Sequence, residues 1–496
     1  MIQICHGQNW PQIYSDTGGY QGTFAVETYD KGFLIGGAAF EGTKNSVIYK
    51  TDINGNILWQ RIVATSGCNT NIAAICSVND GSYIISGSIS RGKTEAFLLK
   101  LDACGEIEWS KRYNANISVS NTNICIMKDG GFVFNLEEST NNGKNYGGWL
   151  CRTDKNGNIV WSVNQINNEP VNISISDSDN ILVTGFDFYQ VDNGPPTGVI
   201  PQSLIFVTKL DSDGKQIQHF GTSDFWMNAQ QTLQSAGGNF LTFGDDDFNP
   251  ILGLHLYLWN IGGKLLDNIA IIDTGNALMP KDFIRTGDSS YLFLASRRDG
   301  KTGDYSMRVF RTESNIIIAK DTLYQLGSNI IPSTISATSD NKYIISGTIL
   351  KNGISDGIYV AKINSSLKLD SFYSTKYNYD YLCANGVPNA GTILLDSAPV
   401  KNLAVDETGK HEEFSIYPNP AKDFVNFNCS GLSADKVQFT IYNILGLAVM
   451  SSAFSADWTG DLSRQVSLPN ISAGLYMVEL VQGNKRLVQK VIVAGE

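Results

Sequence analysis

Apolar residues recur along the first three quarters of the chain in short runs, and the runs return at a spacing of about 50 residues. The clearest run, Phe33-Leu34-Ile35-Gly36-Gly37, reappears as Tyr83-Ile84-Ile85-Ser86-Gly87 and Tyr343-Ile344-Ile345-Ser346-Gly347, with weaker copies at 132–136, 181–185, 240–244 and 291–295. A tight polar turn precedes it, as in Asp30-Lys31-Gly32, Asp80-Gly81, Asp129-Gly130-Gly131 and Asp340-Asn341-Lys342. Gly and Asn tolerate the positive φ that hairpin turns require. A third run follows at 47–50, 97–100, 149–152, 205–209 and 358–362, then another Asx-Gly turn, then a fourth run that carries Trp59, Trp109 or Trp161. Short runs bounded by such turns predict strands, four to a repeat, in about seven repeats.

Adjacent apolar pairs such as Ile84-Ile85, Leu98-Leu99 and Ile344-Ile345 exclude a sheet with one wet face, which would alternate. Sheets stacked face to face bury both sides, so the repeat predicts a seven-bladed β-propeller with four-stranded blades over residues 1–395. The repeats resemble propeller units of secreted bacterial proteins that share a G-x-Y-I-I-x-G strand, an L-D-x-x-G turn and a W-x-K strand. That likeness covers residues 8–376, clearest in repeats one to three and seven and degenerate in five and six. Ring closure has two readings. Trp10 and Ile13-Tyr14 look like a stray fourth strand, while 369–373 look like the seventh repeat's own. The N-terminal piece is expected to cover or replace the last edge strand.

Residues 396–411 turn polar and charged, which predicts a linker. From 412 to 496 period-two strands separated by Pro, Asn and Gly predict a second domain, a small Ig-like β-sandwich. Its segments Ile416-Tyr417-Pro418-Asn419-Pro420-Ala421, Ile441-Tyr442-Asn443-Ile444-Leu445-Gly446, Ser472-Ala473-Gly474-Leu475-Tyr476 and the terminal basic and apolar strand with Lys490, in this order, resemble the type IX secretion sorting domain of Bacteroidota. The resemblance implies a sorting signal carried by Tyr417, Pro418, Asn419, Pro420, Gly446, Gly474, Tyr476 and Lys490. It also implies handling by the type IX machinery and release into the medium or display on the outer-membrane surface.

Composition agrees with an all-β chain: 17% charged residues, 48 glycines and a net charge of -11. An acidic chain without a Lys/Arg stripe is a poor partner for nucleic acid. No apolar run is long enough for a transmembrane helix. The start, Met1-Ile2-Gln3-Ile4-Cys5, lacks the basic and apolar regions of a signal peptide and taken alone points to the cytoplasm. Type IX clients cross the inner membrane behind such a leader, so a chain beginning at its mature end is expected instead. Eight cysteines without C-x-x-C pairs give no zinc motif; most are expected as buried thiols, with Cys5 and Cys383 as a candidate disulfide at the chain ends.

Catalytic motifs are scarce. The four histidines fall in unrelated places, and no nucleophile elbow, zincin helix or phosphate loop is present. Asp52 to Asn56, Asp154 to Asn158 and Asp211 to Gly214 superficially match calcium loops, but they recur in phase with the repeat and lack the distal Glu, so Asx turn chemistry accounts for them. The b-to-c and d-to-a connections, longest at 186–202, share one face, where functional variation is expected. There Phe225, Trp226, Asp245, Asp246, Asp247 and Phe248 form a candidate site whose aromatics could stack on a sugar and whose carboxylates could bind hydroxyls or a calcium ion. No other cofactor is implied. The leading reading is a secreted binding or interaction module for a polysaccharide or protein. Its rivals are an extracellular polysaccharide-active hydrolase or lyase, with paired acids about 5–9.5 Å apart, and a self-associating structural or adhesion component.

Overall fold

The computed structural model describes residues 10–15, 19–38, 45–78, 80–91, 93–114, 118–139, 147–166, 168–192, 199–221, 227–246, 253–272, 276–313, 316–322, 329–374, 377, 379, 390–402, 415–417, 421–429, 436–443, 447–455, 462–469, 471–482 and 485–493. These residues are all-β, and the chain divides into two compact units, Met1–Ala404 and Val405–Glu496.

The described part of the first unit forms seven sheets. Each contains three or four consecutive antiparallel strands, here called a to d. The a strands are Gln21–Glu27, Asn69–Ser77, Ser118–Ile126, Asn168–Ile175, Met227–Gln234, Asn276–Arg285 and Ile330–Ala337, and they number the sheets 1 to 7. Each a strand touches the a strand of the next sheet, and the seventh touches the first, so the sheets close into a ring with the a strands innermost. Apolar clusters fill the gaps between successive sheets, as where Phe243 of sheet 5 meets Phe283 and Phe293 of sheet 6. Burial on both faces explains the paired apolar residues of the sequence.

One irregularity repeats in all seven sheets. Each a strand carries a register shift at the same place, at Gly22/Phe24, Ile72/Ala74, Asn121/Asn123, Pro170/Asn172, Ala229/Gln231, Pro280/Asp282 and Pro332/Thr334. A bulge frees one residue from the ladder, and a proline without an N–H is tolerated beside it. The bulge also explains the glycine of the second strand: a Cβ on Gly87 would lie 2.2 Å from the Asn71 carbonyl oxygen, and one on Gly347 would lie 2.5 Å from that of Ile331.

The ring closes with the N-terminal strand. Gln12–Tyr14 pairs antiparallel with the c strand of sheet 7, with Ile13 opposite Tyr359, and is its fourth strand. Leu369 keeps only an isolated bridge to Ile363. Buried aromatics favour this outcome: Trp10 packs edge-on against Phe33 and Phe372, and Tyr14 stacks on Tyr49 and donates to the Gly55 carbonyl at 2.7 Å.

Beyond sheet 7 the chain returns to the outside of the ring. Ala390–Leu394 lies parallel to the d strand of sheet 1, Ile57–Ala64, and Val400–Asn402 lies parallel to that of sheet 2, Ile107–Asn114. Ile393 and Leu395 are buried between those sheets. The polar stretch predicted as linker from 396 thus begins as sheet edge, because Asp396 accepts from Ser66, and the Pro399 carbonyl accepts from the Arg112 N–H. Polar side chains mark a linker only when the backbone has no edge to join.

The second unit has a three-stranded sheet (Ser415–Tyr417, Phe424–Cys429, Leu462–Ser467) and a four-stranded one (Ala448–Ser455, Lys436–Asn443, Gly474–Gln482, Lys485–Val493). Both contribute to one core, in which Phe427 stacks on Phe439 at 4.9 Å.

Candidate functional site

The two ends of the strands differ. At one end all seven a–b turns close in the same way, with the residue before the turn donating its N–H to the carbonyl four residues on, as Val78 does to Ser82 at 2.8 Å. The c–d turns repeat this chemistry: Asp52 Oδ1 accepts from the backbone N–H of Asn54 and Asn56, both at 2.8 Å, and its Oδ2 accepts from Asn56 Nδ2. Asp154 does the same, and Asp211 accepts two such backbone bonds. These carboxylates are committed to their own turns. Among the described residues, no group of three His, Cys, Asp or Glu is placed to hold a metal ion.

At this end the repeat also builds ion pairs. The turn acid meets a cation from the c strand in sheets 1, 2, 3 and 7: Asp30 with Lys50 at 2.8 Å, Asp80 with Lys100 at 3.4 Å, Asp129 with Arg152 at 2.5 Å, and Asp340 with Lys362 at 2.9 Å. Lys50 and Asp30 are almost wholly buried, with side chains 2% and 1% exposed. Burial pulls the Lys50 pKa below its ordinary value, and the Asp30 charge opposes that fall. Beside sheet 7 the network widens: Lys342 donates to both carboxylate oxygens of Asp370 and to the Tyr373 hydroxyl, which donates to Asp340. Burial acts to raise the Asp340 carboxyl, but hydrogen bonds from Thr338, Tyr373 and Lys362 and the Lys362 charge hold it well below the usual carboxylate range. The network ties residues 370–373 to sheet 7, and Asn54 and Tyr373 fasten them to sheet 1 by two mutual side-chain to backbone bonds.

The opposite end holds the b–c and d–a connections, and Asp245 and Asp246 of the sequence-predicted cluster lie toward it. Phe225, Trp226, Asp247 and Phe248 lie outside the described residues. Asp246 ends the b strand of sheet 5, its backbone paired with Met227. Asp245 precedes it, opposite Leu254 and two residues beyond Phe243, which packs against sheet 6. Two residues that the sequence reading passed over join this region. Burial lowers the pKa of Lys281, at the bulge of sheet 6, and Asp245 is near enough to oppose that shift. The next residue, Asp282, turns to sheet 7 and accepts from the Ile335 N–H at 2.9 Å. Desolvation pushes its carboxyl up to about 7, against the backbone hydrogen bonds that lower it. The bulges of sheets 1, 2 and 7 carry Thr23, Ala73 and Ser333, so a charged Lys-Asp pair at that position was the available signal.

Thiol chemistry is muted. Cys76, Cys125 and Cys151 are free, and the buried Cys68 donates its thiol to the Ser66 carbonyl at 3.5 Å. Burial pushes the thiol of Cys76 up to about 12 and raises those of Cys125 and Cys151. Cys5 and Cys383 lie outside the described residues, and Cys104 is disulfide-bonded.

Of the sorting-signal residues, Pro418, Asn419, Pro420 and Gly446 lie outside the described residues. Tyr417 pairs with Asn426, Gly474 with Val493, and Lys490, exposed, with Met477. Tyr476 is buried and donates its hydroxyl to the Ser472 carbonyl at 2.8 Å.

No curated protein matches the chain in sequence. Among solved structures it is similar to a puromycin hydrolase, at a TM-score of 0.49 and 8% identity over 84% of this chain, spanning 59% of the hydrolase. It is similar also to an ulvan lyase, at 0.46 and 10% identity over 71% of this chain and 95% of that one. A protein of unknown function from Dyadobacter fermentans gives 0.39 and 12% identity over 71% and 96%. Likenesses this distant assign no chemistry to this chain. No helix among the described residues is long and apolar enough to cross a membrane. Residues 415–494 match the family described as secretion system C-terminal sorting domain. The chain therefore ends in a type IX secretion sorting domain, and the protein it belongs to is a secreted or cell-surface one.

Proposed function

We propose that the ring is a seven-bladed propeller acting outside the cell as a binding module, delivered by an Ig-like sorting domain of Bacteroidota type. The match at 415–494 carries this reading, because a sorting domain has a purpose only on exported cargo. Disulfide-bonded Cys104 supports it, since such bonds persist in oxidising compartments. The ligand face is the one with the b–c and d–a connections, near sheets 5 and 6. There the aromatics Phe225, Trp226 and Phe248 supply stacking surface, Asp245, Asp246 and Asp247 accept from hydroxyls, and Lys281 adds a donor beside Asp245. A polysaccharide fits that combination better than a flat protein surface does.

The test is a polysaccharide array probed with residues 1–404, which keep the Val400–Asn402 edge strand, with and without calcium, reading retention and released reducing sugar. Retention without release is expected, and Trp226→Ala with Asp246→Ala should weaken it at least tenfold. Release of sugar would replace the module by a polysaccharide-active enzyme. Silence on every glycan would remove the polysaccharide ligand.

A further inference from the structure

Two segments of the chain reach the outer edge of the c strand of sheet 7, Ile354–Ile363. Leaving the c–d turn, Leu369 bridges Ile363 and the Asp370 N–H donates to the Lys362 carbonyl at 2.9 Å, which is how a fourth strand starts. From Val360 onward, however, the edge belongs to Gln12–Tyr14. The Trp10 N–H donates to the Asp370 carbonyl at 3.3 Å, so the two segments meet at Asp370. Counted on from Leu369 opposite Ile363, Phe372 falls opposite Val360 and Tyr373 opposite Tyr359, the partners now held by Gln12 and Ile13. A bulge of the kind found at this place in sheets 1 to 5 moves the count by one residue and leaves the conflict standing.

The present occupant is favoured by its side chains. Trp10 and Tyr14 stand four residues apart, as Trp109 and Tyr113 do in the d strand of sheet 2. The Tyr14 hydroxyl donates to the Gly55 carbonyl at 2.7 Å and that of Tyr113 to the Gly157 carbonyl at 2.9 Å, each reaching the c–d turn of the next sheet. The segment Ser371-Phe372-Tyr373 has no tryptophan to place there. It is also held aside, because Asn54 accepts from the Tyr373 N–H at 2.7 Å and donates to the Tyr373 carbonyl at 2.9 Å. Neighbouring strands lie about 4.8 Å apart, so bringing Tyr373 into the ladder breaks that pair of bonds.

We infer that the fourth place in sheet 7 is a two-state position. Gln12–Tyr14 fills it in this structure, and 371–373 fills it when the N-terminal strand is withdrawn, giving up Asn54 to do so. Both states satisfy the same c-strand backbone groups, and they differ by the side chains of Trp10 and Tyr14 on one side and the bonds of Tyr373 on the other. A protein that loses its N-terminal strand to a protease outside the cell keeps a closed ring by this exchange.

Hydrogen exchange on the full chain, read by mass over 10–14, 358–360 and 371–373, tests the switch. Ile13→Pro takes an N–H from the closing strand. Exchange in 10–14 should then quicken about 100-fold, that in 371–373 should slow about tenfold, and 358–360 should stay within about threefold of the parent. Quickening of 358–360 together with 10–14, without slowing at 371–373, would overturn the inference. If the proline variant does not fold, Tyr14→Ala, which keeps the backbone and loses the Gly55 bond, gives the same readings at smaller amplitude. Melting supplies a second reading: Asn54→Ala should cost the parent roughly 3 °C, since two hydrogen bonds go, and should cost the Ile13→Pro chain nothing. An equal cost in both backgrounds means that Tyr373 never leaves Asn54, and the two-state position is then lost.

Discussion

Sheets 1, 2, 3 and 7 and sheets 5 and 6 share one backbone plan and differ in where their charges sit. In the first group charge lies at the a–b turn, where an acid meets a c-strand cation. In sheet 5 that turn reads Ser235-Ala236-Gly237-Gly238, and Leu258 stands in the c strand where the others place a basic residue. Sheet 6 keeps an acid and a cation at those positions, Asp288 and Arg311, where Arg311 donates to the Ser365 carbonyl, and adds Lys281, beside Asp245 of sheet 5, and Asp282 at its inner bulge. Repeats that keep the pattern use charge to hold their own hairpins. Sheet 5 lacks that pair, and sheet 6 adds charge in mid strand, at a bulge where Asp282 is buried and accepts from the Ile335 N–H of sheet 7.

The comparison can be broken most severely at Lys50. Lys50→Ala leaves Asp30 buried without its cation and should cost about 3–5 kcal/mol in urea unfolding, whereas removing both charges as Asp30→Asn with Lys50→Met should recover most of that loss. The corresponding Arg152→Ala should cost about 1 kcal/mol or less, because the Asp129 side chain is 58% exposed and water can replace the pair. If the two variants lose equal stability, burial is not what separates the pairs.

Gly87→Ala tests the bulge shared by all seven sheets. Its Cβ would meet the Asn71 carbonyl oxygen at 2.2 Å, so the backbone must shift, at about 2–3 kcal/mol in the same measurement. Asp282→Asn tests the charges of sheet 6. A carboxyl whose folded pKa is raised from 3.8 to about 7 holds a proton that the unfolded chain has given up. Its contribution to stability is therefore greatest below pH 4 and is lost as pH rises to 7. Asparagine keeps an acceptor for the Ile335 N–H, so the variant should match the parent near pH 4 and exceed it by about 2 kcal/mol at pH 8, read from melts across pH. Equal slopes would show that Asp282 does not titrate in this range. The smallest effect is expected at Arg285→Ala, which removes a contact to the exposed Asp177 between sheets 6 and 4, at about 0.5 kcal/mol.

Much of this was legible before the fold. The recurrence of the Tyr83-Ile84-Ile85-Ser86-Gly87 pattern gave strand order and turn chemistry, since glycine and aspartate at fixed offsets have a local cause that needs no neighbour. The sorting tail was legible because several motifs stand in one order. The candidate site was legible only as a region. Asp245 could be named from its place in a degenerate repeat, but Lys281 stands 36 residues further on, in the next sheet, and only packing of sheet on sheet brings the two together.

By itself, then, the sequence determined the elements: seven copies of a strand pattern, their hairpins and the tail that exports them. Those features follow from interactions between residues close in the chain, which act before any tertiary contact forms. The tertiary structure decided which of two apolar segments became the fourth strand of sheet 7, and that part of an apparent linker became a sheet edge. Both were choices between competing partners for the same unpaired backbone groups. Such competition is settled by which segment also buries its side chains, as Trp10 and Tyr14 do in the closing sheet and Ile393 does beside sheet 1.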